Sequence, residues 1–177
     1  MARPATPADV LLFASLIYNP ASDLERVLEN LQAEYGRFLL ATPPMTFDFT
    51  DYYHREMGGG LERVIVAFSR LVPRDCLVSA KTFTNALEDS HRRGADRTVN
   101  IDPGIVTLEN VCLATTKPHA HRIYLCSGIW AEVTLMYRGN SYRKLPWTYP
   151  DYASDAYIHI FNSLRNEYKG RIACPRA

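Results

Sequence analysis

Residues 98–135, TVNIDPGIVTLENVCLATTKPHAHRIYLCSGIWAEVTL, alternate apolar side chains in short strand-like runs that are interrupted, at high density, by ionisable and amide groups. A segment with this periodicity must fold into a β-rich layer. Asn100, Asp102, Lys117, His119, His121, Arg122 and Glu132 all fall inside it. Each would cost free energy in a β-rich core unless paired, so the pattern implies strands that line a pocket as well as pack.

The rest of the chain frames that layer. The apolar run 10–18 reads as a buried strand, and Asn19-Pro20 turns it into a helix over 23–35. Ser22 with Glu25 three residues later forms a capping box, Leu24, Val27, Leu28, Leu31 and Tyr35 recur at helical spacing, and Gly36 supplies the stop. A second strand over 38–47 is bent by Pro43-Pro44, and 48–60 is a long connection. Residues 61–71 alternate as a strand, and a second helix runs from 75 to about 92. A strand at 98–101, a turn at Asp102-Pro103-Gly104, short strands near 105–107 and 111–116, a hairpin 121–126/129–138 and a last helix over 155–168 complete the reading. The order β-α-β-β-α-β matches the split βαβ unit of ferredoxin-like folds. The expected fold is therefore α+β: a mainly antiparallel sheet with helices, built on a ferredoxin-like βαββαβ core with an appended β-hairpin and a C-terminal helix. With 177 residues, 47% of them apolar or aromatic, one domain over 1–177 has enough core.

Charge and motif content remove several classes of function. Twenty Lys and Arg against nineteen Asp and Glu give +1, which supplies no whole-protein field for duplex nucleic acid or an anionic membrane. Cysteines at 76, 112, 126 and 174 form no C-x-x-C pair, so no zinc knuckle or redox dithiol is signalled and a reducing cytoplasm is expected. The N-terminal run LLFASLIY is too short for a membrane span. No G-x-x-x-x-G-K-[ST] loop or G-x-S-x-G elbow occurs, and Gly58-Gly59-Gly60 precedes a strand, so it reads as a hinge. No metal and no cofactor is expected, and nothing in the sequence sets an oligomeric state.

The hairpin register follows from its charges. A two-residue Ser127-Gly128 loop would place Arg122 opposite Val133, whereas a three-residue loop, Cys126-Ser127-Gly128 with Gly128 at positive φ, pairs Leu125 with Ile129, Tyr124 with Trp130, Ile123 with Ala131 and Arg122 with Glu132, and is the register expected. It collects Ile123, Leu125, Ile129, Ala131, Val133 and Leu135 on one apolar face. The bland alternative is that Arg122 and Glu132 are an exposed ion pair worth less than about 1 kcal/mol.

Several segments resemble, in order, the bacterial domain of unknown function 4416 family. They are Phe47-Asp48-Phe49-Thr50-Asp51-Tyr52-Tyr53 with Met57-Gly58, Lys81 with Thr84-Asn85 and Glu88, Val99 to Gly104, Thr115-Thr116-Lys117, His121 to Leu125 with Gly128-Ile129 and Ala131 to Leu135, and Pro146-Trp147-Thr148-Tyr149-Pro150-Asp151-Tyr152. The resemblance spans nearly the whole chain and implies no activity. His119 and Ala120 stand where the family tends to have other residues, and Cys126 where a Gly is usual. That weakens His119 as a metal ligand and Cys126 as a nucleophile.

The candidate site joins three possible acid–base groups, His121, Asp102 and Glu132, to a ligand-binding set of Lys117, Arg122, Asn100, Asp48, Asp51, Tyr52 and Trp147. Imidazole and carboxylate suit proton transfer near neutral pH, Lys117 and Arg122 form a cationic wall, and the rings offer stacking surface. One cavity closed by the 48–60 loop is expected to hold Asn100, Asp102, Lys117, His121, Arg122 and Glu132. The bland reading makes Asp48 and Asp51 loop caps and the aromatics packing residues. Two functions follow: a binder of, or enzyme acting on, a small anionic metabolite, phosphorylated ones included, or a non-enzymatic interaction module docking through the aromatic-proline segment 146–152.

Overall fold

The computed structural model describes residues 3–173. Among these the chain runs through β1 (Val10–Tyr18), α1 (Leu24–Tyr35), β2 (Phe38–Ala41), β3 (Met45–Thr46), α2 (His54–Met57), β4 (Glu62–Val72), α3 (Leu77–Ser90), β5 (Val99–Val106), β6 (Asn110–Thr115), β7 (Ile123–Cys126), β8 (Ile129–Arg138), β9 (Ser141–Lys144) and α4 (Asp155–Ala173). All strand pairs are antiparallel, in the order β2-β4-β1-β5-β6-β8-β7, with β3 on β4 and β9 on β8. The α+β class with a mainly antiparallel sheet is what the element order in the sequence implied.

Strand β1, apolar except for Ser15, lies inside the sheet between β4 and β5 and is covered on both faces. Val10, Leu12, Ala14 and Leu16 pack with α1 and α3, whereas Leu11 and Phe13 pack with α4. Helix α4 presents Tyr157, Phe161, Leu164 and Tyr168 along one stripe, and Phe161 meets Phe13 edge-on at 5.0 Å. Because β1 and β2 both flank β4 antiparallel, β1-α1-β2 is a βαβ unit split by β4, and β4-α3-β5 is likewise split by β1.

Three local expectations along this framework need correction. Asp23, not Ser22, caps α1, its carboxylate accepting from the Arg26 N–H, while the Ser22 hydroxyl turns back to Asn19 O. The connection 48–60 is partly helical, with a single 3₁₀ turn at Asp51–Tyr53 followed by α2. No turn forms at Asp102-Pro103-Gly104, since β5 passes straight through it. Pro103 is tolerated there because pairing with β6 begins only at Gly104, and the missing N–H falls on the unpaired outer edge. Gly104 serves close approach, not a turn: a Cβ would lie 2.5 Å from Phe13 Cζ and 2.6 Å from Cys112 O.

The hairpin β7–β8 keeps the expected pairs Ile123–Ala131 and Tyr124–Trp130, but Cys126 and not Leu125 faces Ile129, so the expected three-residue loop does not form. Ser127 and Gly128 both take positive φ, 53° and 75°, as a two-residue type I′ turn requires, and the extra residue becomes a bulge at Leu125. The single apolar face also fails. A shift in the β6–β8 register between Val133 and Leu135 sends Ile129 and Ala131 to the α3 side and Leu135 to the α4 side. Ile123 and Leu125, on the sheet edge, stay 69% and 39% exposed.

Candidate functional site

The site begins where β5 and β6 part. Their pairing ends at Gly104–Leu113, so the outer edge of residues 99–103 has no neighbouring strand to bond. Buried backbone groups must be paired, and here α3 supplies the partners. Lys81 Nζ donates to Ile101 O at 2.7 Å, and the Ile101 N–H donates to Glu88 Oε1 at 2.8 Å. Lys81, Asn85 and Glu88 share one face of α3, at i, i+4 and i+7. The two charged side chains are almost wholly buried because they replace a missing strand.

From that seam a network extends outward. Lys81 Nζ also donates to Asp102 Oδ1 at 3.1 Å, and Asn100 Nδ2 donates to Asp102 Oδ2 at 2.8 Å. Arg97 joins Glu88 and Asn100 at 3.0 Å each and grips both oxygens of Glu56 at 2.8 Å. Burial opposes ionisation of Asp102, yet Lys81, aided by Arg63 and Asn100, more than offsets it and holds the carboxyl below its ordinary range. Burial dominates at Glu88 and pushes its carboxyl up despite Lys81.

This split sheet opens into a 640 Å³ cavity. Its floor carries Arg63, ion-paired with Asp151 and lying 4.5 Å over the Phe47 ring. Phe49, Tyr52 and Tyr53 of the 48–60 connection form one wall, and Thr115, Thr116, Lys117 and Tyr149 the other. At the mouth Lys117 Nζ donates to Tyr52 OH at 2.8 Å, tying the two walls together.

The structure brings only part of the expected set to this cavity. Asn100, Asp102, Lys117 and Tyr52 line it. Asp48 and Asp51 are exposed beside it, and Asp51 bonds His54 within the loop. His121, Arg122, Glu132 and Trp147 form an adjoining cluster instead. Glu132, 2% exposed, takes His121 Nε2 at 3.0 Å and Arg122 Nε at 2.8 Å on the same oxygen, and Trp147 stacks on His121 at 5.0 Å. Nη1 and Nη2 of Arg122 donate to Lys117 O and Tyr149 OH, both at 2.9 Å. Arg122 therefore positions two cavity residues, and each of its three nitrogens already has a partner within the fold. The physical reason is burial: Glu132 on an inner strand needs compensating charge, and the nearest donors supply it.

Five charged residues at the cavity were not anticipated: Arg63, Lys81, Glu88, Arg97 and Asp151. Lys81 and Glu88 carry a readable signal, because they interrupt the buried stripe Leu77, Ala80, Thr84 and Leu87 of α3. Among the described residues no three His, Cys, Asp or Glu side chains converge as a metal site requires. No described helix is long and apolar enough to cross a membrane.

The Arg97–Glu56 clamp fastens the 48–60 connection and gives it a pH dependence. Hydrogen bonding from Arg97 holds the Glu56 carboxyl below its ordinary 4.5. A carboxyl lowered in the folded state contributes stability above its unfolded pKa and loses it as pH falls through the folded one. Cleavage by an acid-tolerant protease near Gly58-Gly59-Gly60 should therefore rise below pH 4.5, and a Glu56→Gln variant should be cut readily at neutral pH as well. Equal cleavage of both proteins at pH 7 would show that the clamp does not hold the loop.

Fold and site together define an α+β protein with a polar, aromatic-walled cleft at a split in its antiparallel sheet. The chain belongs to the family described as Domain of unknown function (DUF4416), whose model matches residues 8–168. No curated protein and no solved structure matches it.

Proposed function

We propose that the cleft binds a small anionic metabolite, with phosphorylated compounds the first to test, and that Lys117 is the cation that holds it. One observation carries this reading. Of the cavity's cations, Arg63 is paired with Asp151, Lys81 with Asp102 and Glu88, and Arg97 with Glu56 and Glu88. Lys117 instead meets the neutral Tyr52 hydroxyl and has no carboxylate within ion-pair reach among the described residues. It sits at the mouth beside the rings of Tyr52 and Tyr149, so an anion there gains both a charge partner and a stacking surface.

The test is calorimetric titration with nucleotides and sugar phosphates. Lys117→Met is expected to weaken binding by about 1–2 kcal/mol, less than a buried ionic bond would lose because the ammonium is exposed. Arg122→Ala should chiefly lower the unfolding temperature. Affinity untouched by Lys117→Met would sink the proposal.

The alternative is an interaction module docking through residues 146–152. Trp147 and Tyr149 remain 38% and 45% exposed, which supports it. Against it, the segment is fastened inward: Trp147 Nε1 donates to Val133 O, Thr148 Oγ1 to Thr134 O, and Asp151 pairs with Arg63. The free thiols of Cys76 and Cys112 and the family resemblance support placing the protein in a bacterial cytoplasm.

A further inference from the structure

The mouth of the cavity exposes more ring surface than packing explains. Phe49, Tyr52 and Tyr149 all line it, yet they remain 41%, 60% and 45% exposed, on walls that face each other across the opening. Large apolar surface left facing a cleft marks what the cleft binds. Aromatic faces on both sides of an opening suit a flat ring.

The inner end sets a second condition. Asp102 is held ionised by Lys81, and its side chain, 32% exposed, lines the cavity. A carboxylate has about four acceptor sites and no donor, and Lys81 and Asn100 occupy two of them, so whatever reaches Asp102 must donate. Asn85, on the same cavity surface, can both donate and accept through its amide. A flat ring whose edge alternates donors with acceptors is a nucleobase. Charge supplies the third condition. The lining holds Arg63, Lys81, Arg97 and Lys117 against Glu88, Asp102 and Asp151, four cations to three carboxylates, which leaves Lys117 to be matched by an anion. At ~30 Å³ for each water-sized group the 640 Å³ cavity has room for about twenty, more than a phosphate alone fills. The whole chain carries only +1, which offers no track for the successive phosphates of a strand.

We infer that the ligand is a mononucleotide, with its phosphate on Lys117, its base against the rings of Phe49, Tyr52 and Tyr149, and an N–H of the base donating to Asp102. This rests on the cleft reading above and narrows it to one chemical class.

Three probes separate the parts: the common nucleoside monophosphates, ribose 5-phosphate, which lacks the base, and phenyl phosphate, which has a ring but no donor edge. Each would be titrated calorimetrically into wild type, Phe49→Leu, Asp102→Asn and Lys117→Met. The expected result is that at least one nucleoside monophosphate binds about 10-fold tighter than either of the other probes, as a stacked base and a hydrogen bond to a carboxylate imply. Phe49→Leu should remove most of the advantage over ribose 5-phosphate, and Asp102→Asn most of that over phenyl phosphate. Lys117→Met should weaken all three probes alike. Because Phe49 is exposed, its replacement tests the base site even where loss of Asp102 from the Lys81 network unfolds the chain. Ribose 5-phosphate or phenyl phosphate binding as tightly as every nucleotide, in a manner that depends on Lys117, would overturn the inference and leave the cleft reading intact. Nucleotide binding indifferent to Phe49→Leu would also overturn it. Failure of every probe to bind overturns both.

Discussion

An Asp151→Ala variant is expected to lose about 3–5 kcal/mol of folding stability, the range for stranding one member of a buried ion pair. Arg63 is enclosed by the rings of Phe47, Tyr152 and Tyr157, and Asp151 is its carboxylate partner. Without it a guanidinium remains in an aromatic box, where the ring faces recover only part of the lost interaction. The Tyr152 N–H, which donates to Asp151 Oδ1 at 2.9 Å, loses its acceptor as well. Urea unfolding followed by far-UV circular dichroism reads the loss directly. The double variant Arg63→Met/Asp151→Ala should regain most of it, because a hydrophobic replacement of similar volume removes the desolvated charge. A single-variant loss below about 1 kcal/mol would mean that solvent reaches the pair.

Glu88→Ala should fall at the lower end of the same range, about 3 kcal/mol, since Lys81 keeps Asp102 and Arg97 keeps Glu56. Here the apolar rescue should fail. Lys81 and Glu88 satisfy each other and also the C=O and N–H of Ile101, so Lys81→Met/Glu88→Leu would leave two buried backbone groups without partners. The two double variants thus separate a pair that compensates only charge from one that stands in for a strand. Equal rescue in both would refute the view that α3 completes the sheet, and amide exchange at Ile101 in Glu88→Ala, unchanged from wild type, would do the same.

The framework was legible wherever periodicity is local. The mostly apolar run of β1 and the helical stripe of α1 need no distant partner to be recognised, and Arg122 with Glu132 was enough to place the pairs Ile123–Ala131 and Tyr124–Trp130 though not the turn that closes the hairpin. Pro103-Gly104 misled because turn chemistry and edge chemistry use the same residues, and only the absence of a β6 neighbour tells them apart. At the site, Asn100, Asp102, Lys117 and Tyr52 were found because polar residues in strands and loops stand out against their neighbours. Arg63 and Asp151 are 88 residues apart, and Arg97 and Glu56 are 41 apart. No spacing rule links them, so their pairing emerges only when β4, β5 and the segment after β9 converge. His121, Arg122 and Glu132 were rightly grouped with one another but assigned to the cavity, because sequence does not say which side of a buried carboxylate its donors approach from.

The placement of β1 bears on how the chain acquires its shape during synthesis. The first of the described strands to be made is an interior one, flanked by β4 and β5, and helices α1 and α3, which cover one of its faces, are translated before β5 pairs with it. Its other face, with Leu11 and Phe13, is sealed by α4, which follows every strand and whose Tyr168 hydroxyl reaches back to Asp9 O across 159 residues. A nascent chain therefore carries a half-covered sheet until α4 has been translated. During that interval the growing polypeptide exposes Leu11, Phe13 and their neighbours, apolar surface of the kind that chaperones shield.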